Sequence, residues 1–358
     1  MVFNPTLLTD QDWSILANSQ SLKAEFDGYL HELHQSHIRS QITRLASTVA
    51  MAPDKKTLID MKSKIEELED PEDKPEVTMK QLGDQLDYRL KTPTQDGLLT
   101  YKPVDDLLNH GIHGGQLIAI GARPSVGKTA FGLNLVRKTF ERNSDVKVDW
   151  FSLEMGANEV YQRLVAALSE VDSKKFYNPA LSMNEVEKAK AHQATMVVDN
   201  YDLGIYDQYM TIEDISRKIR QRAAESQSGH YIAFVDYLQL VTAGTGTKST
   251  DHRYEIEAVS RQLKQLTTQL SIPIIEFSQL SRGIENRENK IPVLSDLRET
   301  GAIEQDANVV GFLYPLGDPA EYRKVGEVMF NLQKHREGAL GKVKMNFFKT
   351  YQKMEAAL

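Results

Sequence analysis

Cysteine is missing altogether from the 358 residues. Disulfides and thiolate-held metals are thereby excluded, and the chain suits a reducing compartment, which points to the cytoplasm. Long apolar runs are missing too. None approaches the roughly 20 residues that a helix needs to cross a bilayer, so no membrane is expected as a partner. The opening "MVFNPTLLTDQDW" has no basic region leading into an apolar one and is not a secretory signal. Positive charge is not in excess: the net charge of −7 argues against a surface coated in nucleic acid, although a local basic channel can sit on an acidic protein. No internal repeat and no long low-complexity segment occurs. What is present is ordinary: an apolar fraction of 41% and a charged fraction of 26% describe a globular chain long enough for one large domain or two.

The pattern divides the chain into a helical region, 1–92, and an α/β region, 93–358. In "FDGYLHELHQSHIRSQITRLASTV", Leu30, Leu33, Ile38, Ile42, Leu45 and Val49 recur at helical spacing. The acidic "EELEDPEDKPE" (66–76), with its two prolines, reads as an exposed linker. A short amphipathic helix is expected next, carrying Met79, Leu82, Leu86 and Leu90. These helices are too few for a core of their own; they form either a small subdomain or a helix awaiting a partner surface. From about residue 95, short apolar runs alternate with helical stretches: "GQLIAIGA", "VKVDWFSLE", "TMVVDN", "YIAFVDYLQLV" and "PIIEFSQL" read as strands. Alternation of this kind indicates a mostly parallel sheet covered on both faces. The strands "NVVGFLYP", "EVMFNLQKHR" and "GKVKMNFFK" follow without helices between them, suggesting an antiparallel extension.

The chemistry begins at "GARPSVGKTAF". Ala122, Arg123, Pro124, Ser125, Val126, Gly127, Lys128, Thr129 and Ala130 form a strand-to-helix loop ending in Gly-Lys-Thr. A helix opening there aims backbone N–H groups and its dipole at an anion. Lys128 would reach the β- and γ-phosphates of ATP or another NTP, and the Thr129 hydroxyl would meet Mg²⁺. Gly127 is required because a side chain would crowd the phosphates, whereas Ala122 stands where the general phosphate-loop pattern has glycine. Asp236 ends an apolar run, where a carboxylate either supports the metal or caps a helix. Glu154 is the candidate to orient or deprotonate water, its alternative being a capping or salt-bridging carboxylate. Ser278 and Gln279 end a further strand and are candidates to sense the γ-phosphate, or simply a polar pair needing partners. Lys334 and Arg336 in "QKHREG" alternate on a strand and share a face, as a phosphate clamp or a solvated edge. Two polar loops, 242–253 with Lys248 and Arg253, and 294–307 with Arg298, Glu299 and Gly301, are candidates to follow a phosphate chain.

Taken in order, "ARPSVGKTAF", "FSLEM", "VDYLQL", "SQLSRGIENRENKIPVLSDLRETGAIEQDA" and "QKHREG" resemble the successive motifs of the DnaB-type replicative DNA helicases. These are RecA-like P-loop NTPases, and the resemblance covers about 95–352. Ala122 is the family's own form of the loop. The resemblance implies that Lys128, Thr129 and Asp236 hold phosphates and Mg²⁺, that Glu154 is the catalytic base and that Gln279 contacts the γ-phosphate. It implies that Lys334 and Arg336 form a finger reaching a neighbouring subunit's site, and that Arg298, Glu299 and Gly301 track DNA in a central channel. A hexameric ring moving 5′ to 3′ on single-stranded or forked DNA is the expected assembly, with a loader and primase as partners and the nucleoid as its setting. Residues 26–50 are similar, more weakly, to the family's linker helix. Two departures stand out. Few residues precede that helix where the family has a collar domain, which suggests an abbreviated, phage or mobile-element form. Pro315 replaces the arginine that commonly follows "FLY". A helicase-like interaction protein that joins or blocks a host helicase, and a RecA-like recombination ATPase, stay open as alternatives.

Overall fold

The computed structural model describes residues 78–92, 97–208, 210–236, 241, 252–297, 301–317 and 325–357, with Ser40, Thr43, Arg44 and Ser47. The chain divides into two units, Met1–Pro93 and Thr94–Leu358. In the first, helix α1 (Met79–Lys91) starts at a capping box: the Thr78 side chain accepts from the Gln81 N–H, and the Gln81 side chain accepts from the Thr78 N–H. The expected apolar residues Met79, Leu82, Leu86 and Leu90 are all exposed. Of the helix expected over 30–49, only Ser40, Thr43, Arg44 and Ser47 are described, and they are helical. The acidic stretch 66–76 lies outside the described residues.

The second unit is built on one nine-stranded sheet. Its strands are β1 (Leu117–Ala122), β2 (Lys147–Ser152), β3 (Asp202–Tyr206), β4 (Tyr231–Asp236), β5 (Ile274–Gln279), β6 (Val309–Pro315), β7 (Gly326–His335), β8 (Gly341–Phe348) and β9 (Lys353–Ala356). Their spatial order is β3-β2-β4-β5-β1-β6-β7-β8-β9; the first six run parallel and the last three continue antiparallel. The expected fold class is therefore the observed one. β1 and β4 are buried along their whole length, as parallel strands covered on both faces must be.

Helices cover the two faces. They are α2 (Lys102–Leu107), α3 (Lys128–Arg142), α4 (Ala157–Ser169), α5 (Glu185–Val198), α6 (Ile212–Ala224), α7 (His252–Leu270) and α8 (Gly301–Asp306), with a single turn at Pro179–Ser182. Phe131, Leu164, Trp150, Phe234 and Phe277 belong to the core on the α3–α4 face; Ile215, Leu263, Ile274 and Ile303 belong to the core under α6–α8.

One expected strand is corrected. "TMVVDN" is the end of α5, not a strand. A capping box between Asn184 and Glu187 starts this helix, and Ala191, Ala194 and Val198 bury one side of it at helical spacing. The strand is the following "DLGIY", which pairs in parallel with β2 from Lys147↔Asp202 to Phe151↔Tyr206.

Two glycines set the loop between β1 and α3. Gly132 lets α3 lie close on the sheet, since a Cβ there would stand 2.4 Å from Phe277 and 2.7 Å from Trp150. Gly127 has φ +105°, and a Cβ would meet Met354 Cε at 2.6 Å and the Phe347 ring at 2.9 Å. The structure adds a second reason for Gly127: its backbone conformation and the packing from β8 and β9 demand glycine. Ser125 is also left-handed, with φ 66°. This non-glycine residue in a left-handed conformation marks a loop whose surroundings dictate its shape. Gly127→Ala is expected to lower stability by at least about 1 kcal/mol, the cost of a left-handed non-glycine residue. Adding Met354→Ala removes the tightest contact but neither the one with Phe347 nor the dihedral, so urea titrations should show partial recovery only.

A second internal constraint is Glu276, on β5 in the middle of the sheet and 0% exposed. Its Oε1 lies 3.5 Å from the Ser260 hydroxyl, and its Oε2 meets no hydrogen-bond partner among the described residues. Burial, then the charge of Asp306, pushes its carboxyl up to about 8 from 4.5. The folded state thus holds a proton that the unfolded chain releases above about pH 4.5. This group's stabilisation is complete below that value and is lost as pH rises through about 8. Glu276→Gln keeps the neutral form, so its stability relative to wild type should rise across pH 5 to 8 by up to about 1.4 kcal/mol per unit. Denaturant melts of both proteins over that range measure the difference; parallel curves would mean that Glu276 does not change its charge on folding.

Candidate nucleotide site and the opposite edge of the sheet

Neighbouring strands β2, β4, β5 and β1 bring four sequence-distant features to one edge. The register pairs Ser152 with Asp236 and Ala122 with Gln279, so the carboxyl ends of these strands come level. In an open α/β sheet this is the edge where ligands bind. A cleft of about 890 Å³ lies there, lined by Ala122 to Ser125, Gly127 to Ala130, Glu154, Met155 and Gln279.

Asp236 is the buried anchor of the cleft, at 2% exposure. The Thr129 hydroxyl donates to its Oδ2 at 2.7 Å, and Lys128 Nζ stands 3.1 Å from its Oδ1. A carboxylate at the end of a buried strand needs such partners, because an unpaired buried charge is costly. Glu154 follows β2 after a tight bend in which Ser152 Oγ donates to the Met155 carbonyl at 2.6 Å, and Leu153 N–H donates to the Asp236 carbonyl at 2.9 Å. The bend holds Glu154 exposed in the cleft, beside the end of β4. Gln279 is half-buried on the same wall, and Ser278 is buried next to it.

Arg123 lines the cleft and also makes contacts beyond it. Its guanidinium donates to Glu285 from Nε at 2.9 Å and again from Nη2, and Nη1 donates to the Leu280 carbonyl at 2.8 Å. The nucleotide loop is thus tied to the segment that leaves β5. That segment is tied in turn to the next: Leu280 bridges to Leu297, Ser281 N–H donates to the Asp296 carbonyl at 2.9 Å, and Arg287 pairs with Asp296.

Sequence reasoning missed the far wall. Glu159 and Arg163 of α4, Asp172 to Lys174, and the turn with Lys349, Thr350 and Gln352 line the cleft together with Phe347. The turn is joined to α3 by Asn134, whose side-chain amide donates to the Gln352 carbonyl at 2.8 Å. The left-handed Gln352, φ 57°, is the only local sign of the turn, and no motif flags it.

Lys334 and Arg336 are placed elsewhere. Lys334 pairs with Val310, and Val310 with Ala119, near the amino end of β1. Three residues of strand and two strand spacings put roughly 10 Å along the sheet and roughly 10 Å across it between Lys334 and the start of the nucleotide loop. Both side chains turn to α8: Lys334 Nζ donates to the Glu304 carbonyl and Arg336 Nη2 to the Gln305 carbonyl. Neither residue lines the cleft. They do share one side, as their alternation predicts.

The two polar loops are partly corrected. Gly301 begins α8, so residues 301–306 are helix rather than loop. Arg253 lies in the first turn of α7 rather than in the loop before it. Arg298, Glu299 and Lys248 lie outside the described residues. Pro315 ends β6, paired with Val328. Among the described residues no helix is long and apolar enough to cross a membrane.

A family model described as "DnaB-like helicase C terminal domain" matches residues 98–356. The chain is 31% identical to "Replicative DNA helicase DnaC" of Bacillus subtilis (strain 168) over 94% of its own length and 76% of that protein's. It is 34% identical to "Replicative DNA helicase DnaB" of Geobacillus stearothermophilus over 72% of its length, spanning 57% of that relative. Among solved structures, it is similar to one titled "The Structure Of A DnaB-Like Replicative Helicase And Its Interactions With Primase", with a TM-score of 0.80, 26% identity, and coverage of 95% of this chain and 80% of that one. The first and last of these similarities extend ahead of residue 98, where the family match begins. The chain therefore belongs to the DnaB-like replicative helicases, a family of ATP-hydrolysing DNA helicases with a RecA-like core.

Proposed function

We propose that the protein hydrolyses ATP, or another NTP, to move 5′ to 3′ along single-stranded DNA and unwind duplex DNA during replication, as a homohexameric ring. The observation that carries this reading is the separation of two halves of one site. Lys128, Thr129, Glu154 and Gln279 line one cleft, and the buried Asp236 holds Lys128 and Thr129. The basic pair Lys334 and Arg336 is held at the other end of the strands. Lys334 and Arg336 do not line the cleft of their own subunit; a neighbour's pair would complete it.

Lys128 leaves Asp236 for the β- and γ-phosphates as the triphosphate settles against the backbone N–H groups that open α3. Asp236 and the Thr129 hydroxyl are hard oxygen donors 2.7 Å apart, a set that fits magnesium shared with phosphate oxygens and water. Among the described residues no group of three or more His, Asp or Glu side chains would hold a metal alone. When bound, magnesium would supply charge neutralisation at the β- and γ-phosphates. Glu154 orients the attacking water and takes its proton, Gln279 contacts the γ-phosphate, and the neighbour's Arg336 and Lys334 balance the charge that develops there. Arg298, Glu299 and Gly301, with Lys248 and Arg253, follow the DNA backbone; phosphate contacts of this kind weaken steeply with salt. A loader and a primase are the expected partners. The alternatives of a non-hydrolysing interaction protein and a recombination ATPase draw no support from the family.

Strand separation on forked DNA with magnesium and ATP tests the reading directly. It fails if the wild-type protein separates no strands, or if Lys128→Ala leaves ATP turnover unchanged. Glu154→Gln should retain nucleotide binding while turnover falls by roughly 10² to 10⁴, the usual share of a positioned base. Arg336→Ala should lose roughly 10³ or more in turnover, as for a removed arginine finger, again with nucleotide affinity unchanged. Mixing inactive Arg336→Ala and Lys128→Ala subunits offers a sharper check. Interfaces that pair the intact cleft of one with the intact finger of the other should recover ATPase activity, and no recovery would contradict action in trans.

A further inference from the structure

Glu154 is exposed in the cleft, so packing does not aim its side chain; the bend that carries it does. That bend, 153–156, joins β2 to α4 and is held at its start from β4. Ser152 pairs with Asp236, and Leu153 N–H donates to the Asp236 carbonyl at 2.9 Å. Ser152 Oγ closes the turn by donating to the Met155 carbonyl at 2.6 Å. The far end of the bend is the first turn of α4. The residue before that helix is Gly156, extended in backbone and without a side chain to cap the N–H groups that follow.

The cap comes from another strand. Asp207 stands one residue past β3, and its Oδ2 accepts from the Ala157 N–H at 2.7 Å. Register makes this contact possible: Phe151 pairs with Tyr206, so Asp207 arrives level with Ser152, where the bend begins. A carboxylate in that place also meets the positive end of the helix dipole. The first residue of β3 is tied down in turn. Arg222 of α6 pairs with Asp202 at 2.6 Å and with the buried Asp149 of β2 at 3.1 Å. The segment with Glu154 is thus strung between two neighbouring strands, β4 at its start and β3 at its end. The phosphate loop follows β1, with β2, β4 and β5 between it and β3.

We propose that Asp207 is a positioning residue for ATP hydrolysis: by capping α4 from β3 it fixes the bend that aims Glu154 at the attacking water. This rests on the proposed role of Glu154 as the base. Without the cap, the Ala157 N–H turns to solvent and the bend is held from β4 alone. A misplaced base slows the chemical step, and the loop that binds the phosphates keeps its own anchors at Asp236.

The test is single-turnover hydrolysis by the full chain with magnesium and ATP, beside the affinity for a non-hydrolysable ATP analogue. Asp207→Ala should slow hydrolysis by roughly tenfold or more, the scale of a small misplacement of a reacting group, with analogue affinity within about twofold of wild type. Asp207→Asn keeps an acceptor of similar shape and should stay within about threefold of wild type. In a Glu154→Gln background Asp207→Ala should cost nothing further, because no base is left to aim. A normal rate in Asp207→Ala, a slowing of similar size in both backgrounds, or a fall in analogue affinity that matches the fall in rate overturns the proposal. Asp207 is exposed, so Asp207→Ala should fold. Should it not, Gly156→Ser added to it decides, since a serine there caps the helix locally and its Cβ has room, the nearest atom being Asp207 Oδ2 at 3.8 Å. That double variant should recover most of the wild-type rate, and a slow but folded one overturns the proposal. Unchanged hydrolysis in Glu154→Gln would refute the base itself, whereas loss there with a normal Asp207→Ala would refute only the positioning.

Discussion

The structure depends on a carboxylate that could not stand alone. Asp236 closes a strand buried along its whole length, and at 2% exposure its charge is tolerable only beside Lys128 and the Thr129 hydroxyl. Those two partners belong to the first turn of α3, so the ion pair also fixes where that helix begins. The helix can begin there because Gly127 accepts a left-handed backbone and Gly132 lets α3 approach Phe277 and Trp150. Lysine and threonine are held against an acid in the same positions from which they would serve a triphosphate.

The register of the parallel strands extends that order to the rest of the molecule. It makes the carboxyl ends of β2, β4, β5 and β1 level, which gathers Glu154, Asp236, Gln279 and the loop at one edge. The same register carries a row from Glu276 to Lys334 under α8. Two links join the cleft to the segment that enters α8. Arg123 binds Leu280 and Glu285 from the loop side, and Leu280 and Ser281 meet Leu297 and Asp296.

Much of this was legible in the sequence where chemistry is local. Gly-Lys-Thr after an apolar strand, Asp236 at the end of another and the paired cations of "QKHREG" are each recognisable within a short context. The alternation of strands and helices gave the fold class for the same reason, since periodicity is a property of neighbours along the chain. The failures also have one cause. "TMVVDN" has the composition of a strand, but the capping box at Asn184 and Glu187, eight or more residues upstream, commits it to helix. Likewise, no local feature shows that Arg123 of the phosphate loop also meets Glu285 and the Leu280 carbonyl from across the sheet edge.

The sequence by itself determined which residues carry charge and which segments alternate, because these follow from side-chain identity and spacing within a few residues. Tertiary structure alone decided who meets whom. Gly127 needs glycine because of Met354 and Phe347, far along the chain. The turn at Lys349–Gln352 joins the cleft from far along the chain, where Asn134 holds it. Lys334 and Arg336 stand apart from their own cleft because an antiparallel strand beside β6 must run back toward the amino end of β1. Strand register is a property of pairs of distant segments, and no single stretch of sequence contains it.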